Sequence, residues 1–467
     1  MTDTTVVAER PTPGEPRPYT FPTFDRVALG NGLGVIAVDL PGRELVSASL
    51  VLPAGAVDEP DAEAGVTSLM ARALAEGTKH HDAIELVEAT ERLGASLHAE
   101  AGWDALSVSV DVPVERLDAA LDLAGEVLAE PVFPPNEVER LREERLNDLL
   151  QARADPRRRA EEAFIDTIYD RASPYRRPSG GTRDTVVRLD AAACAAELGR
   201  RFEPSRMTLV LGGDFEGVDV LGLANAHFGA WTASPTSELP GPITSRSALE
   251  GRRQRLVRID HRPGSVQTEI RIGHVGLPRR IDDFHALSVM SAILGGLFDS
   301  RLNRRLREEK GYTYGASAGF DLRRAAGPFA ARTAVNTDVT VPAVLDTLAV
   351  LEGMGAGDVT DAELRAARDF LIGVFPLRFE TPPAVVGAIG GLVVHGLPFD
   401  ELRRYRPAIS AVTADDVVAA ARAHVRPNDA AIVLVGDADA FLPALEAADL
   451  GEIVVDREPL PGDAASG

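Results

Sequence analysis

The sequence predicts an α+β fold built twice. Three observations carry that expectation. Short runs alternate as sheet strands do: Val46, Ala48, Leu50 and Leu52 against Ser47, Ser49 and Val51, and Leu106, Val108 and Val110 against Ser107 and Ser109. Other runs have helical spacing, with Val66, Leu69, Met70, Ala73 and Leu74 on one apolar face. Finally, Pro204 through Gly213-Asp214 is echoed 223 positions on by Pro427 through Gly436-Asp437, and Pro41-Gly42 is echoed 222 positions on by Pro263-Gly264. Offsets that agree within one residue predict a duplicated domain of about 220 residues, a period too long for a solenoid.

Taken in order, residues 1–20 are rich in Pro, Thr and Glu and read as a flexible arm. Residues 21–232 form the first α+β half. It opens on a strand pair turning at Asn31-Gly32, followed by the strand Leu33–Val38 and the strand centred on Ala48. Helix 61–76, the Leu106–Val110 strand, a helix over 138–150 and the buried strand Met207–Leu211 complete it. Residues 233–251 have linker composition. The second half, 252–455, starts with Val266, Thr268, Ile270 and Ile272 alternating as a strand, and 456–467 form a tail.

A chain of 467 residues exceeds one usual core. Its 45% hydrophobic and 26% charged residues describe a soluble globular protein, and no run of about 18 apolar residues exists to span a membrane. The first residues lack a basic segment followed by an apolar one, which predicts a cytoplasmic protein. The net charge of −22 argues against nucleic-acid binding, because phosphates need a cationic face. It fits either plain solubility or a preference for basic peptides. The single cysteine, Cys194, allows no intrachain disulfide and no cysteine zinc cage, and its setting reads as a buried helix position.

The richest stretch runs from Phe298 to Gly315. Phe298, Leu302 and Leu306 recur every four residues, which predicts a helix with one apolar stripe, and Lys310-Gly311 supplies its cationic last turn and glycine stop. Tyr312, Thr313 and Tyr314 are strand formers, so Arg307 and Tyr314 can converge on one cleft from helix end and strand start. A guanidinium fork and a phenol both donate hydrogen bonds, which suits an oxygen gaining negative charge. The nearby cations Arg301, Arg304, Arg305 and Lys310 are either solvated or peptide-facing.

This stretch resembles the C-terminal-half signature of the insulinase/pitrilysin (inverzincin) superfamily of zinc peptidases, which includes the mitochondrial processing peptidase. The pattern is Leu-Arg, a charged run, then Gly-x-x-Tyr with the tyrosine seven residues after the arginine, matched by Leu306-Arg307 and Gly311-Tyr-Thr-Tyr314. The resemblance extends from about Phe21 to Val455 and includes Gly65 to Lys79, Glu380-Thr-Pro-Pro and Gly396-Leu-Pro. It implies two homologous halves, each a mixed β-sheet covered by helices on one face, closing like a clamshell. It also implies that Arg307 and Tyr314 grip the substrate's backbone carbonyl beside the scissile bond.

Active members of that family carry Gly-Leu-x-His-x-x-Glu-His before a Gly-Thr-Lys turn, with a later glutamate as third zinc ligand. The matching run here is Gly65-Val-Thr-Ser68-Leu-Met-Ala71-Arg72, followed by Gly77-Thr78-Lys79. Ser68 and Arg72 stand where the histidines belong and Ala71 where the base belongs, while the third slot falls near Asp148. No H-x-x-E-H or H-E-x-x-H occurs elsewhere. His80 and His81 are expected to be exposed in a polar turn, and His98 and His285 to be structural. Arg72 and Asp148 are expected either to pair across the vacant position or to be solvated separately.

Gly390-Gly391 reads as close helix packing, Arg157-Arg158-Arg159 as a solvated turn or helix start, and no Ser/His/Asp or Cys/His constellation is visible. Retained Arg307 and Tyr314 with a lost metal site resemble the alpha-type, non-catalytic subunit of a two-chain peptidase. That resemblance implies a heterodimer in which a homologous H-x-x-E-H sister supplies zinc and the base, while this chain, inactive alone and without a cofactor, holds the peptide substrate. The alternative is a catalytically silent structural or peptide-binding homodimer.

Overall fold

The computed structural model describes residues 14, 17–238, 241–252 and 254–457. Two six-stranded mixed sheets form its frame. The first has the order β1-β2-β6-β3-β5-β4, from β1 (Arg26–Ala28), β2 (Gly34–Asp39), β3 (Leu45–Leu52), β4 (Ser96–Ala101), β5 (Leu106–Pro113) and β6 (Thr208–Gly213). The second has the order β12-β7-β11-β8-β10-β9, from β7 (Leu256–His261), β8 (Gln267–Val275), β9 (Ala316–Phe320), β10 (Pro328–Asn336), β11 (Ala431–Gly436) and β12 (Glu452–Asp456). In each, two neighbouring strands far apart in the sequence run parallel: β2 with β6, and β7 with β11. The edges of the two sheets are β4 and β9 at one side, β1 and β12 at the other.

The sequence anchors turn out to be one hydrogen bond made twice. Gly42 N–H donates to Asp214 Oδ2 at 2.7 Å, and Gly264 N–H donates to Asp437 Oδ2 at 2.8 Å. Each joins the turn before β3 or β8 to the end of the central strand β6 or β11, which explains why the offsets persist.

The halves exchange equivalent helices. Pro156–Ile168, from the first half, lies on β8 and β11 of the second sheet. Pro382–His395, from the second half, lies on β3 and β6 of the first. Both start on a proline at the first helical turn, where the missing N–H costs nothing. Phe164, Ile168 and Tyr169 pack with Val275, Ala330, Ala431 and Val433, while Val385, Val386 and Ile389 pack with Ile36, Val38, Val51 and Val210. Fully burying one such side chain stabilises by roughly 1.5–3 kcal/mol.

This exchange corrects one expectation: β3 is buried on both faces, with Ser47 and Ser49 under the incoming helix. Alternation predicted one wet face because the covering helix lies some 330 residues away in the sequence. Gly390 packs closely there, as expected, since a Cβ would stand 3.3 Å from Val51 Cγ2. The expected linker is pinned as well: Leu249 is buried in the inter-half cluster and Ser245 Oγ donates to Ala326 O at 2.6 Å. Most of the expected arm, and the tail beyond Arg457, lie outside the described residues. The part that is described is docked: Tyr19 stacks on Phe379, and Arg406 donates to Arg17 O and Tyr19 O.

Candidate functional site

Two regions were singled out by the sequence, and each is built by a helix and its neighbours. The first is the short helix Val66–Ala73, whose N-terminus is held by Glu59. Glu59 accepts from Gly65 N–H at 2.9 Å and Thr67 N–H at 2.8 Å, and Arg177 lies 3.1 Å away. Burial pushes the Glu59 carboxyl up to about 7, against the pull of Arg177 and those two N–H groups. Glu59 carries no recognisable sequence signal, because its partners are backbone groups.

Ala71 is fully buried in the core and Arg72 points outward, half exposed. Arg72 does not meet Asp148. Its guanidinium pairs with Glu144 at 2.6 Å, one turn earlier on the helix Pro135–Ala154. Glu144 also takes Arg140, which reaches Glu76 at 2.8 Å. Asp148 is held by Arg158 at 2.8 Å and by Arg145. The reason is geometric: Glu144 presents a carboxylate on the same helix, and Asp148 already has two cations within reach. The residues present do not fit a metal. A hydroxyl, a methyl and a guanidinium replace two imidazoles and a base, and the guanidinium repels a cation. Among the described residues, His261, Asp437 and Asp439 come close enough to share an ion, but His261 Nδ1 accepts from Ala438 N–H and Asp437 caps the following helix.

The second region is the stretch after Phe298. A short α-turn, Arg301–Asn303, capped by Ser300, passes into a π-helix over Arg304–Glu309 that carries Arg307. Single π-turns are rare and recur at functional sites. A second one, Ala292–Gly296, precedes it and lies so close to β9 that a Cβ on Gly295 would meet Ala318 N at 2.2 Å. Leu302 and Leu306 are buried, and Gly311 ends the helix with φ +64°, both as expected. Phe298 is not part of the stripe. It precedes the helix and is 79% exposed.

Nor is Tyr314 in a strand. β9 begins at Ala316, and Tyr312–Gly315 form a loop clamped by polar bonds. Thr333 Oγ1 donates to Thr313 Oγ1 at 3.0 Å and to Gly315 O at 3.1 Å, and buried Asn303 accepts from Ala316 N–H at 2.9 Å. These bonds occupy Gly315 O and Ala316 N–H, and pairing with β10 starts at Ala316 opposite Thr333. Tyr314 projects from this fixed loop with 98% of its surface exposed. Arg307 donates from Nη2 to Phe298 O at 2.9 Å and from Nε to Glu308 at 2.8 Å, with its guanidinium over the Phe298 ring.

Of the other cations, Arg301 is tied to Glu363 and Asp358, and Arg305 to Asp346 and Glu309, which makes them structural. Arg304 and Lys310 face outward. Arg157–Arg159 open the exchanged helix, with Arg158 on Asp148 and Arg159 on Asp260. His80 is exposed against Glu130, as expected. Cys194 is buried and its thiol is pushed up to about 12 by burial. No single helix among the described residues is long and apolar enough to cross a membrane.

Comparison with known proteins agrees with this architecture. The profile of the family described as Insulinase (Peptidase family M16) matches residues 35–179, and that of the Peptidase M16 inactive domain matches residues 199–371. An uncharacterized zinc protease of Mycobacterium leprae is 24% identical over 415 residues, covering 88% of this chain and 91% of its own. The non-peptidase homolog YmxG of Helicobacter pylori is 24% identical over 380 residues, covering 80% and 84%. A solved structure of a peptidase M16 inactive domain from Pseudomonas fluorescens superposes with a TM-score of 0.80 at 24% identity, covering 89% of this chain and 98% of the other.

Two mixed sheets under helices, with Ser68, Ala71 and Arg72 on the short helix Val66–Ala73, define a relative of the zinc peptidases. The chain belongs to the insulinase peptidase family M16.

Proposed function

We propose that this chain is the substrate-binding subunit of a two-chain zinc peptidase, acting with a homologous H-x-x-E-H sister that carries the metal and the base. One observation carries the reading: a fully exposed tyrosine, Tyr314, stands on a clamped loop beside Arg307, in a chain whose own metal helix offers Ser68, Ala71 and Arg72. A phenol held on a fixed loop can donate its O–H to an oxygen of a molecule bound there. In this reading Arg307 and Tyr314 donate to the peptide carbonyl and stabilise the charge that develops on its oxygen. The exchanged helices hold the two halves of this chain together, and in this reading the peptide lies in a cleft shared with the sister chain.

The competing homodimer, structural or peptide-binding, has one observation in its favour: the Arg307 fork is already engaged by Phe298 O and Glu308. Reconstitution separates the two. Under the proposal this chain alone cleaves nothing, the pair cleaves peptides, and Arg307→Ala or Tyr314→Phe lowers the rate of the pair. An unchanged rate in both variants refutes the assigned roles.

A further inference from the structure

Beside Arg307 a cavity of about 430 Å³ opens against the start of β9. Four guanidinium-bearing residues line it, Arg157, Arg271, Arg307 and Arg332, and Glu269 is the one lining carboxylate. The rest of the lining includes Ser317 and Thr333, small hydroxyl residues that leave the space open. In a chain of net charge −22, such a concentration of cations is against the prevailing sign.

The arginines are not balanced internally. Arg271 on β8 and Arg332 on β10 are directly opposite each other across the ladder, a like-charge placement that destabilises a sheet. Both lean on the same atom, Glu161 Oε1, at 2.7 and 2.9 Å, and Arg271 takes Glu269 as well, at 2.9 Å. Glu161 lies on the exchanged helix, and so does Arg157, one turn earlier, whose guanidinium makes no ion pair or hydrogen bond among the described residues. One carboxylate thus serves two arginines while a third guanidinium stays free at the mouth. A second carboxylate brought in from outside would complete the set, with the bidentate geometry that arginine favours.

The cavity also says which carboxylate. Its rim is Gly315 and the first residues of β9, Ala316 and Ser317, and β9 is the unpaired edge of its sheet. An extended peptide laid on that edge sends alternate side chains to one face. We infer that this cavity is a specificity pocket for an acidic side chain, Asp or Glu, of the peptide that Arg307 and Tyr314 hold. The inference rests on the substrate-binding reading above and is opposite to one of the two readings of the net charge, a preference for basic peptides.

The test uses the full chain and ten-residue fluorescent peptides in matched pairs that differ only by Glu or Gln at one scanned position. Fluorescence anisotropy should show one position at which Glu binds about tenfold tighter than Gln, about 1.4 kcal/mol. Arg157→Ala should cut that ratio to about twofold and Arg157→Glu should abolish it. Where binding to the isolated chain is too weak to read, the same ratios are taken from kcat/KM of the reconstituted pair. Absence of a Glu preference at every position, or a preference indifferent to Arg157→Glu, overturns the inference. The two readings fail separately. Turnover that drops with Arg307→Ala but shows no Glu preference sinks only the pocket. A Glu preference that follows Arg157 while Arg307→Ala leaves turnover untouched supports the pocket and sinks the gripping role.

Discussion

The Arg307 guanidinium lies 3.7 Å from the centroid of the Phe298 ring and donates to the carbonyl of the same residue. The residue assigned to the substrate carbonyl is therefore resting on a carbonyl of its own chain. An exposed cation–π contact of this kind is worth about 0.5–1 kcal/mol, small enough to be exchanged for a substrate.

Removing the ring should loosen the fork, which keeps its bonds to the carbonyl of residue 298 and to Glu308. Phe298→Ala is expected to leave global stability within about 0.5 kcal/mol, since the side chain is mostly exposed. It should also raise the reactivity of Arg307 toward phenylglyoxal, read by mass spectrometry. In the reconstituted pair it should lower KM about two- to fivefold, the equivalent of the lost contact.

Arg307→Lys should not rescue Arg307→Ala. A lysine supplies charge without the planar fork, so both variants are expected to lower kcat of the pair by about 10²-fold or more, as losing an oxyanion donor does elsewhere. Equal activity of the Lys variant and the parent chain would show that charge alone is used.

Restoring the missing imidazoles should not restore a metal site. In Ser68→His with Arg72→His, two imidazoles stand one turn apart, but Asp148 stays engaged by Arg145 and Arg158. Isothermal titration is expected to show weak zinc binding, strengthened about tenfold or more when Arg145→Ala and Arg158→Ala free the carboxylate. Tight zinc binding by the double variant would mean the cations do not hold Asp148 back.

Two buried groups should tilt the pH dependence of stability in opposite directions. Burial pushes Glu59 up to about 7 from an ordinary 4.5, so the folded state holds its proton longer and the associated stability is lost as pH rises from 4.5 to 7. His274 is fixed by its bonds. Its Nε2 accepts from Arg426 N–H at 3.0 Å and its Nδ1 donates to Val275 O at 2.9 Å, while burial lowers it to about 4. Its stability is present above 6.5 and lost as pH falls toward 4. Each effect is at most roughly 3 kcal/mol. Urea melts from pH 4 to 8 should show stability rising more steeply with pH in Glu59→Gln and falling with pH in His274→Gln. The same slope in all three proteins contradicts both assignments.

The exchanged helices should make the halves unfold together. Phe164→Ala and Ile389→Ala each create a cavity in an inter-half cluster and are expected to cost about 3–5 and 2–5 kcal/mol. Calorimetry should show one transition in each, and a fragment of residues 21–232 should fail to fold because the first sheet loses its covering helix. Two separate transitions would mean the clusters do not couple the halves.

Much of this fold was legible from local pattern. Alternation located β3, β5 and β8, a continuous apolar run located β6, Asn31-Gly32 marked the first turn, and the Gly42–Asp214 and Gly264–Asp437 bonds left their imprint as offsets that agree within one residue. What escaped was whatever depends on distant partners. β3 reads as half-wet because its second cover comes from Pro382–His395, and the Arg72 partner was misjudged because Glu144 and Asp148 share one helix a turn apart. The strand expected at Tyr312–Tyr314 failed for a related reason: β-propensity is overridden where Thr333 and Asn303, distant in sequence, fix Gly315 O and Ala316 N–H and the strand starts only at Ala316. Arg307 and Tyr314 were found by motif, yet nothing local showed that one would rest on Phe298 and the other stand free.

The most direct test of a divided active site is peptide hydrolysis measured for this chain, for a homologous H-x-x-E-H chain and for their mixture, with zinc content determined for each. The account predicts no stoichiometric zinc and no cleavage in this chain, and activity in the mixture that falls with Arg307→Ala. Zinc at one equivalent in this chain alone, with cleavage that a chelator abolishes, would contradict it.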